Sequence, residues 1–180
     1  MKNNKSKISC NGGFTLIELL VVVLIIGILA AVAVPQYKVA VTKAHLTKYL
    51  PLVKAIYQAE ESFFLSNGEY TLNLKELDIE VPFEDCRYSQ STRIGAYHCA
   101  DVSFGIYNGG TNVQVQTHDI GYLHYLTEEE NTNINENLKK GDIVCMSSDD
   151  TAKKVCRSLG PIKKEKEVSA GPWTYMVILQ

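Results

Sequence analysis

A single carboxylate, Glu18, lies near the start of an apolar run between Phe14 and Val34, in which Thr15 is the other polar residue. A carboxyl group inside a membrane costs roughly 2.5 to 3.5 kcal/mol at a helix centre and less near the interface. Such a charge is tolerated where a group of opposite charge neutralises it. Glu18 therefore predicts a cationic partner at the same depth.

The chain offers no side chain for this role, because it contains no Lys or Arg between Lys7 and Lys38. A cut in front of Phe14 would create a new amino terminus and so supply the missing positive charge. A cationic partner for Glu18 would thus depend on cleavage in front of Phe14.

The apolar run itself allows two simpler interpretations. Phe14–Val34 is long enough to cross a bilayer as a helix, which takes about 20 residues, so it could be a plain membrane anchor. It could also be a secretory signal peptide, with a basic start and cleavage after Ala33 of Ala31-Val32-Ala33. Neither interpretation gains anything from the cost of Glu18.

The stretch Gly13-Phe14-Thr15-Leu16-Ile17-Glu18, with a basic leader before it and an apolar run to Pro35 after it, resembles the class III signal of type IV pilins and pseudopilins. The similarity extends from Lys2 to about Tyr37. It implies cleavage by a prepilin peptidase between Gly13 and Phe14 and methylation of the new Phe14 amine. It also implies that Glu18 pairs with the terminal amine of a neighbouring subunit.

The resemblance implies a structural subunit rather than an enzyme. The expected product is a type IV pilus or pilus-like filament for adhesion, motility or DNA uptake. Its expected partners are other subunits, the peptidase, an inner-membrane assembly platform and a motor ATPase, and no cofactor is expected. The precursor would lie in the inner membrane, and the head outside the cytoplasm, in an extracellular or periplasmic filament. Two alternatives are a pseudopilin of a type II secretion system and an exported enzyme or binding protein cut after Ala33.

The rest of the chain predicts an α+β, pilin-like fold, in which a long N-terminal transmembrane helix continues into a head with an antiparallel sheet. Pro35 should end or kink the spanning helix, and Pro51 should bend the amphipathic helix that follows. An apolar stripe on that helix comprises Leu52, Ile56, Ala59 and Phe63. The expected divisions of the chain are a cleaved leader 1–13, a transmembrane or filament-core helix 14–35 and a head 36–180. Within the head we expect the amphipathic helix 36–67, a connecting loop 68–100, and a sheet with a disulfide-closed C-terminal region at 101–180.

Alternation of apolar and polar residues predicts the strands of the head. A hairpin should turn at Asn108-Gly109-Gly110, and a short helix should follow an N-cap among Ser148, Asp149 and Asp150. The polar stretch 128–142 is expected to be a solvated loop. The candidate strands are DVSFGIY, TNVQVQTH, GYLHYLT, IVCMS and WTYMVIL.

Five cysteines become four if the leader, which carries Cys10, is removed. An even set suits two disulfides in an oxidising compartment. Of the three possible connectivities we favour neighbour pairing, Cys86 with Cys99 and Cys145 with Cys156. Each bond would close a loop of about a dozen residues and stabilise the fold by roughly 3 kcal/mol. The resemblance supports the second pair, because pilin heads often carry a disulfide-closed C-terminal region.

Other chemistry finds little support. The formal charge of -2 would fall to -5 without the three leader lysines (-2 - 3), which argues against a nucleic-acid partner. No phosphate-binding loop, nucleophile elbow or Rossmann fingerprint occurs. The histidines lack metal-binding spacing, and we expect no metal. They are His45, His98, His118 and His124.

Overall fold

The computed structural model describes residues 13–80, 85–131 and 136–180. The chain forms two compact units, Met1–Tyr37 and Lys38–Gln180. The expected leader, with its lysines and Cys10, lies outside the described residues except for Gly13.

The first helix, α1, spans Leu16–Thr47. In the first unit its large apolar side chains are all exposed, from Phe14 at 72% to Val34 at 50%. The stretch Leu16–Asn67 contains the one helical segment of the described residues that is long and apolar enough to cross a membrane, and none of that segment is buried. By length and composition, α1 is a candidate transmembrane helix.

The two prolines act differently. Pro35 lies inside α1, which continues to Thr47, so Pro35 does not end the helix, and a kink at Pro35 stays a prediction. A break at Lys48–Tyr49 separates α1 from α2, which spans Leu50–Asn67 and has Pro51 in its first turn. Proline has no N–H to donate to the carbonyl four residues before it, here that of Thr47, but it suits a helix's first turn. The helix is therefore interrupted after Thr47 and restarts at Leu50.

The C-terminus of α2 follows its sequence signal. Gly68 adopts φ 81°, and its N–H donates to the Phe64 carbonyl at 2.8 Å. Glycine reaches this left-handed conformation without steric cost, so it ends the helix at Asn67.

An antiparallel sheet of eight strands follows the helices, in the order β1-β2-β3-β4-β5-β8-β10-β9. A hairpin of β6 and β7 forms a second, two-stranded sheet, and a short helix, α3, follows β8. The α+β, pilin-like fold class is thereby confirmed. The elements are β1 Arg87–Gln90, β2 Gly95–His98, β3 Ser103–Tyr107, β4 Asn112–Gln116, β5 Ile120–Tyr125, β6 Glu129–Asn131, β7 Glu136–Leu138, β8 Ile143–Ser147, α3 Asp150–Arg157, β9 Ile162–Ala170 and β10 Trp173–Leu179.

Three parts of the head differ from expectation. The predicted connecting loop 68–100 contains β1 and β2, and the predicted solvated loop 128–142 contains β6 and β7. The edge strand β9, which is rich in charged residues and pairs with β10, was not predicted. β1 and β9 lie at the edges of the large sheet, and β6 and β7 form a small hairpin, where pairing depends on the backbone more than on alternating apolar residues. The interior strand β2 has four residues, GAYH, which are too few to show a clear alternation.

Both faces of the large sheet are buried. Successive residues on a strand point to opposite faces, so β10 directs Val177 towards one core and Met176 towards the other. The first core includes residues of α2 and α3, and the second includes Leu138 of β7. Glu136 of β7 also binds Lys164 and Lys166 of β9, at 2.6 and 2.7 Å. The region expected to be a solvated loop therefore helps to cover the second face.

The predicted amphipathic face of the helix is rotated from its expected position. Ile56 is fully buried, but Leu52, Ala59 and Phe63 are half-buried. The fully packed line has the same helical spacing of three and four residues. It consists of Leu46, Tyr49, Val53, Ile56 and Glu60.

Disulfides join Cys86 to Cys99 and Cys145 to Cys156. These are the neighbour pairs favoured from the sequence. The second bond ties α3 to β8 beneath it, because Cys145 lies on β8 and Cys156 on α3.

Gly95 of β2 allows another segment to approach closely. A Cβ atom at this position would lie 1.6 Å from the Leu72 carbonyl oxygen, which belongs to the backbone and has no easy way to move. We expect Gly95→Ala to lower the free energy of unfolding by about 3 kcal/mol or more. Thermal unfolding of the full chain in detergent measures this change.

Gly160→Ala is the matched control, since a Cβ there would have nothing within 4 Å. Its effect should stay within about 0.5 kcal/mol. Equal stability of the two variants would contradict the close packing of Leu72 on Gly95.

Candidate functional site

Thr15 and Glu18 form a reciprocal hydrogen-bonded pair at the start of α1. The Thr15 backbone N–H donates to Glu18 Oε2 at 2.8 Å, and the Thr15 hydroxyl donates to the same oxygen at 2.6 Å. In return, the Glu18 N–H donates to Thr15 Oγ1 at 3.3 Å. This is a capping box, which satisfies donors that the first turn of a helix otherwise leaves unpaired.

The capping box changes the interpretation of Glu18. The resemblance implies a partner from a neighbouring subunit, whereas one oxygen of Glu18 already has two donors within its own chain. The signal was present in the spacing Thr-x-x-Glu directly before an apolar run. Glu18 therefore also defines where α1 begins.

Gly13 and Phe14 lie just before the helix, outside regular secondary structure. Phe14 is 72% exposed, and a Cβ placed on Gly13 would have nothing within 4 Å. The peptide bond between them is thus sterically open to a protease. Gly13, Phe14 and Glu18 lie within six consecutive residues, so the chain itself brings them together.

The histidines do not converge on a catalytic or metal centre. His45 binds Asp101 at 2.6 Å, and His98 lies between the hydroxyls of Ser89 and Ser103. In the described ranges, no group of three or more His, Cys, Asp or Glu side chains is placed to hold a metal ion. We find no arrangement there that suggests a chemical reaction.

The last turns of α1 are held to the head at two points, each near a disulfide. Lys43 Nζ donates to the Ser158 carbonyl at 2.9 Å, two residues after Cys156. His45 binds Asp101, two residues after Cys99. Hydrogen bonding to His45 lowers the pKa of the Asp101 carboxyl. The disulfides therefore brace the two loops that contact this part of α1.

Glu60 is a buried charged residue that the sequence analysis missed. It lies on the packed face of α2, with no exposed surface, although Glu is almost never fully buried without a partner. Burial raises the pKa of its carboxyl to about 7. The amphipathic pattern gave no signal for it, because a carboxylate is assigned to the solvent side of a helix by default.

These features define a class of protein. A capped, exposed apolar helix with an open peptide bond just ahead of it precedes a disulfide-bonded α+β head. Such features are typical of proteins whose exposed apolar helix is covered by lipid or by other protein chains.

Comparison with known proteins agrees with this class. The model of the prokaryotic N-terminal methylation motif matches residues 8–34. The chain is 37% identical over 89 residues to the type IV major pilin protein PilA of Myxococcus xanthus, covering 49% of this chain and 40% of that protein. A fimbrial protein of Pseudomonas aeruginosa is 40% identical over 80 residues, covering 44% of this chain and 50% of the relative.

A third relative, the type IV major pilin protein PilE1 of Neisseria gonorrhoeae, is 35% identical over 75 residues, covering 42% of this chain and 46% of the relative. The chain thus spans half or less of the length of these curated relatives. No solved structure matches it. The resemblance to type IV pilins that the sequence predicts is confirmed by these matches.

The capping box can be tested by removing the hydroxyl of Thr15. Thr15→Val keeps the size of the side chain but leaves the Glu18 N–H without its acceptor, at a cost of about 1 kcal/mol. We expect the amide exchange of Glu18 in detergent micelles to rise about fivefold, as measured by NMR. Thr15→Ser keeps the hydroxyl and should exchange like the wild type, so equal rates in the two variants would contradict the cap.

Proposed function

We propose that this chain is a structural subunit of a type IV pilus or pilus-like filament. One observation carries the proposal. Glu18 provides a negative charge at the start of a helix whose apolar surface is exposed, a few residues after an accessible Gly13–Phe14 bond. A plain anchor has no use for that carboxylate, whereas a subunit that packs its helix against others gains a specific contact.

Processing is the first step of the proposed function. A prepilin peptidase removes the leader 1–13, and the amine of Phe14 is methylated. Residues 14–35 then form the transmembrane and filament-core helix, and residues 36–180 form the head. The methylation-motif match over residues 8–34, which includes the bond to be cut, supports this step.

Assembly follows from the geometry of Glu18. Both hydrogen bonds from Thr15 end on Oε2, which leaves Oε1 available to a cation. The Phe14 amine of a neighbouring subunit would approach this oxygen as the two apolar helices pack side by side. A charged hydrogen bond in an apolar environment is strong and directional, so it would select one register among many similar apolar packings.

The proposed location follows from the same elements. The precursor lies in the inner membrane through α1, and the head lies outside the cytoplasm, where its two disulfides are stable. An inner-membrane assembly platform and a motor ATPase would insert the subunit into the growing filament. The curated relatives are named major pilins and fimbrial proteins, which favours a pilus over a secretion pseudopilus.

Cleavage can be tested with Gly13→Val. The side chain would occupy the open space beside the scissile bond, so we expect the precursor to remain uncut in the membrane. Intact mass and N-terminal sequencing of membrane protein measure this. Gly27→Val adds the same side chain inside α1 and should still give mature protein that begins at Phe14. A wild-type amino terminus after Ala33 would instead support an ordinary signal peptide.

Glu18→Gln separates the two roles of Glu18. Glutamine can still accept the hydrogen bonds of a capping box, but it carries no charge. We expect normal membrane levels and normal cleavage, with filaments on the cells reduced at least tenfold by electron microscopy. Glu18→Asp, which keeps the charge on a shorter side chain, should lose less. Normal filament numbers in Glu18→Gln would reduce the role of this residue to helix capping.

A further inference from the structure

The buried carboxyl of Glu60 holds a segment of chain against α2. Glu60 Oε2 accepts the backbone N–H of Thr71 at 3.2 Å, and Oε1 has no hydrogen-bond partner among the residues that the structure describes. Both residues are buried. Burying a carboxyl group with one unpaired oxygen away from water costs free energy, and the cost is far greater when the group is ionised.

The surroundings of Glu60 do not compensate a negative charge. Its neighbour Glu61 carries the same charge and binds Lys140 at 2.7 Å, so the cation of this cluster is engaged elsewhere. Glu76 lies on the other side and accepts hydrogen bonds from Thr71 and Asn73.

The sheet behind α2 adds no positive charge. Strands β3 and β4 contain no Asp, Glu, Lys, Arg or His, and their titratable side chain is Tyr107, whose pKa burial raises to about 12. On β5, His124 stacks on Tyr57 of α2, and burial lowers the pKa of its imidazole. Burial and the nearby carboxylates of Glu76 and Glu61 outweigh the Thr71 N–H, which favours the carboxylate, so the site favours the neutral form of Glu60.

Residues 69–80, which we name the strap, connect α2 to the next part of the sheet. They have no regular secondary structure beyond a short turn. The strap meets the sheet where Tyr88 Oη accepts the N–H of Leu74, at 3.3 Å, and where Leu72 packs on Gly95. On its other side it forms one wall of a groove with α2, lined by Ala59, Phe63, Leu77 and Ile79 among others. The bond from Thr71 to Glu60 fastens the strap to the helix.

We propose that the strap is a proton-controlled latch, closed against α2 when Glu60 is neutral and released when Glu60 is ionised. A neutral carboxyl can stay in the dry site at a modest cost, whereas a carboxylate is driven towards water. Opening would move Thr71 off Glu60 and widen the groove beside Phe63 and Leu77. The contact of Leu72 with Gly95 keeps the far side of the strap in place.

The direction of the pH effect follows from linkage. The pKa of Glu60 is about 7 in the closed form, above the ordinary value of 4.5 that an open, hydrated form would have. The closed form therefore binds the proton more tightly and is favoured at low pH. The opening equilibrium should rise by about tenfold per pH unit between the two values and level off above pH 7.

Hydrogen exchange of the full chain in detergent micelles tests this, with mass spectrometry of peptides from the strap. Between pH 5.5 and 7, after correction for the intrinsic exchange rate, exchange within residues 69–80 should rise about tenfold or more. Peptides from β10 should not show this rise. Glu60→Gln should remove the pH dependence, and the exposed Glu69→Gln should keep it. A pH-independent strap in the wild type, or the same pH dependence in Glu60→Gln, would overturn the proposal.

A second measurement needs no variant. The amide of Thr71 donates to Glu60, so its NMR chemical shift should follow the ionisation of that carboxyl. We expect a titration midpoint near pH 7 in the wild-type chain. A midpoint below pH 5 would show that Glu60 is ionised in the closed strap, and the latch would then be excluded.

Discussion

The need to cover the apolar surface of α1 is the constraint on which the rest of the molecule depends. Its large side chains are half or more exposed along most of the first unit, from Leu16 at 75% to Val34 at 50%. A water-soluble monomer rarely exposes a continuous apolar patch of more than a few hundred Å². The helix therefore needs a cover, which in the proposed function is lipid in the precursor and neighbouring helices in the filament. Apolar packing alone does not fix which register it takes.

Glu18 supplies what the apolar surface lacks. Leu, Ile and Val side chains pack almost equally well in several registers, because dispersion is weak and non-directional. A carboxylate that must meet a cation rejects every register in which the two are apart, since a lone charge in an apolar site is costly. The capping box adds rigidity, because it holds Oε2 on Thr15 and so fixes the direction of Oε1. One residue thus sets the helix start and, in the proposed filament, the contact between subunits.

The parts of the fold that were predictable from sequence are those whose local signals agree with their packing. Strand β10, with the sequence WTYMVIL, is buried between β8 and β9 and rich in apolar residues. Its bounds, Trp173–Leu179, are those predicted. Gly68 ends α2 because the backbone there adopts the left-handed φ of 81°, which glycine reaches without steric cost. By contrast, β9 has the sequence IKKEKEVSA, and five of its residues are charged. It is stable because its backbone pairs with β10 and its lysines meet Glu136, a partner distant in sequence.

The candidate functional residues likewise include some that the sequence predicts and one that it does not. Gly13, Phe14 and Glu18 are recognisable because their chemistry depends on neighbours along the chain. Glu60 was not, because its burial depends on Thr71 and the strap, which fold back on α2 through contacts that no helical pattern encodes.

A carboxyl group in such a place reduces stability at neutral pH, and an apolar residue of similar size would fill the same space without that cost. Such a replacement would, however, leave the Thr71 N–H buried without an acceptor. The bond to Thr71 is therefore the structural reason for a carboxyl at position 60. Because that carboxyl is buried, the position of the strap on α2 depends on its protonation.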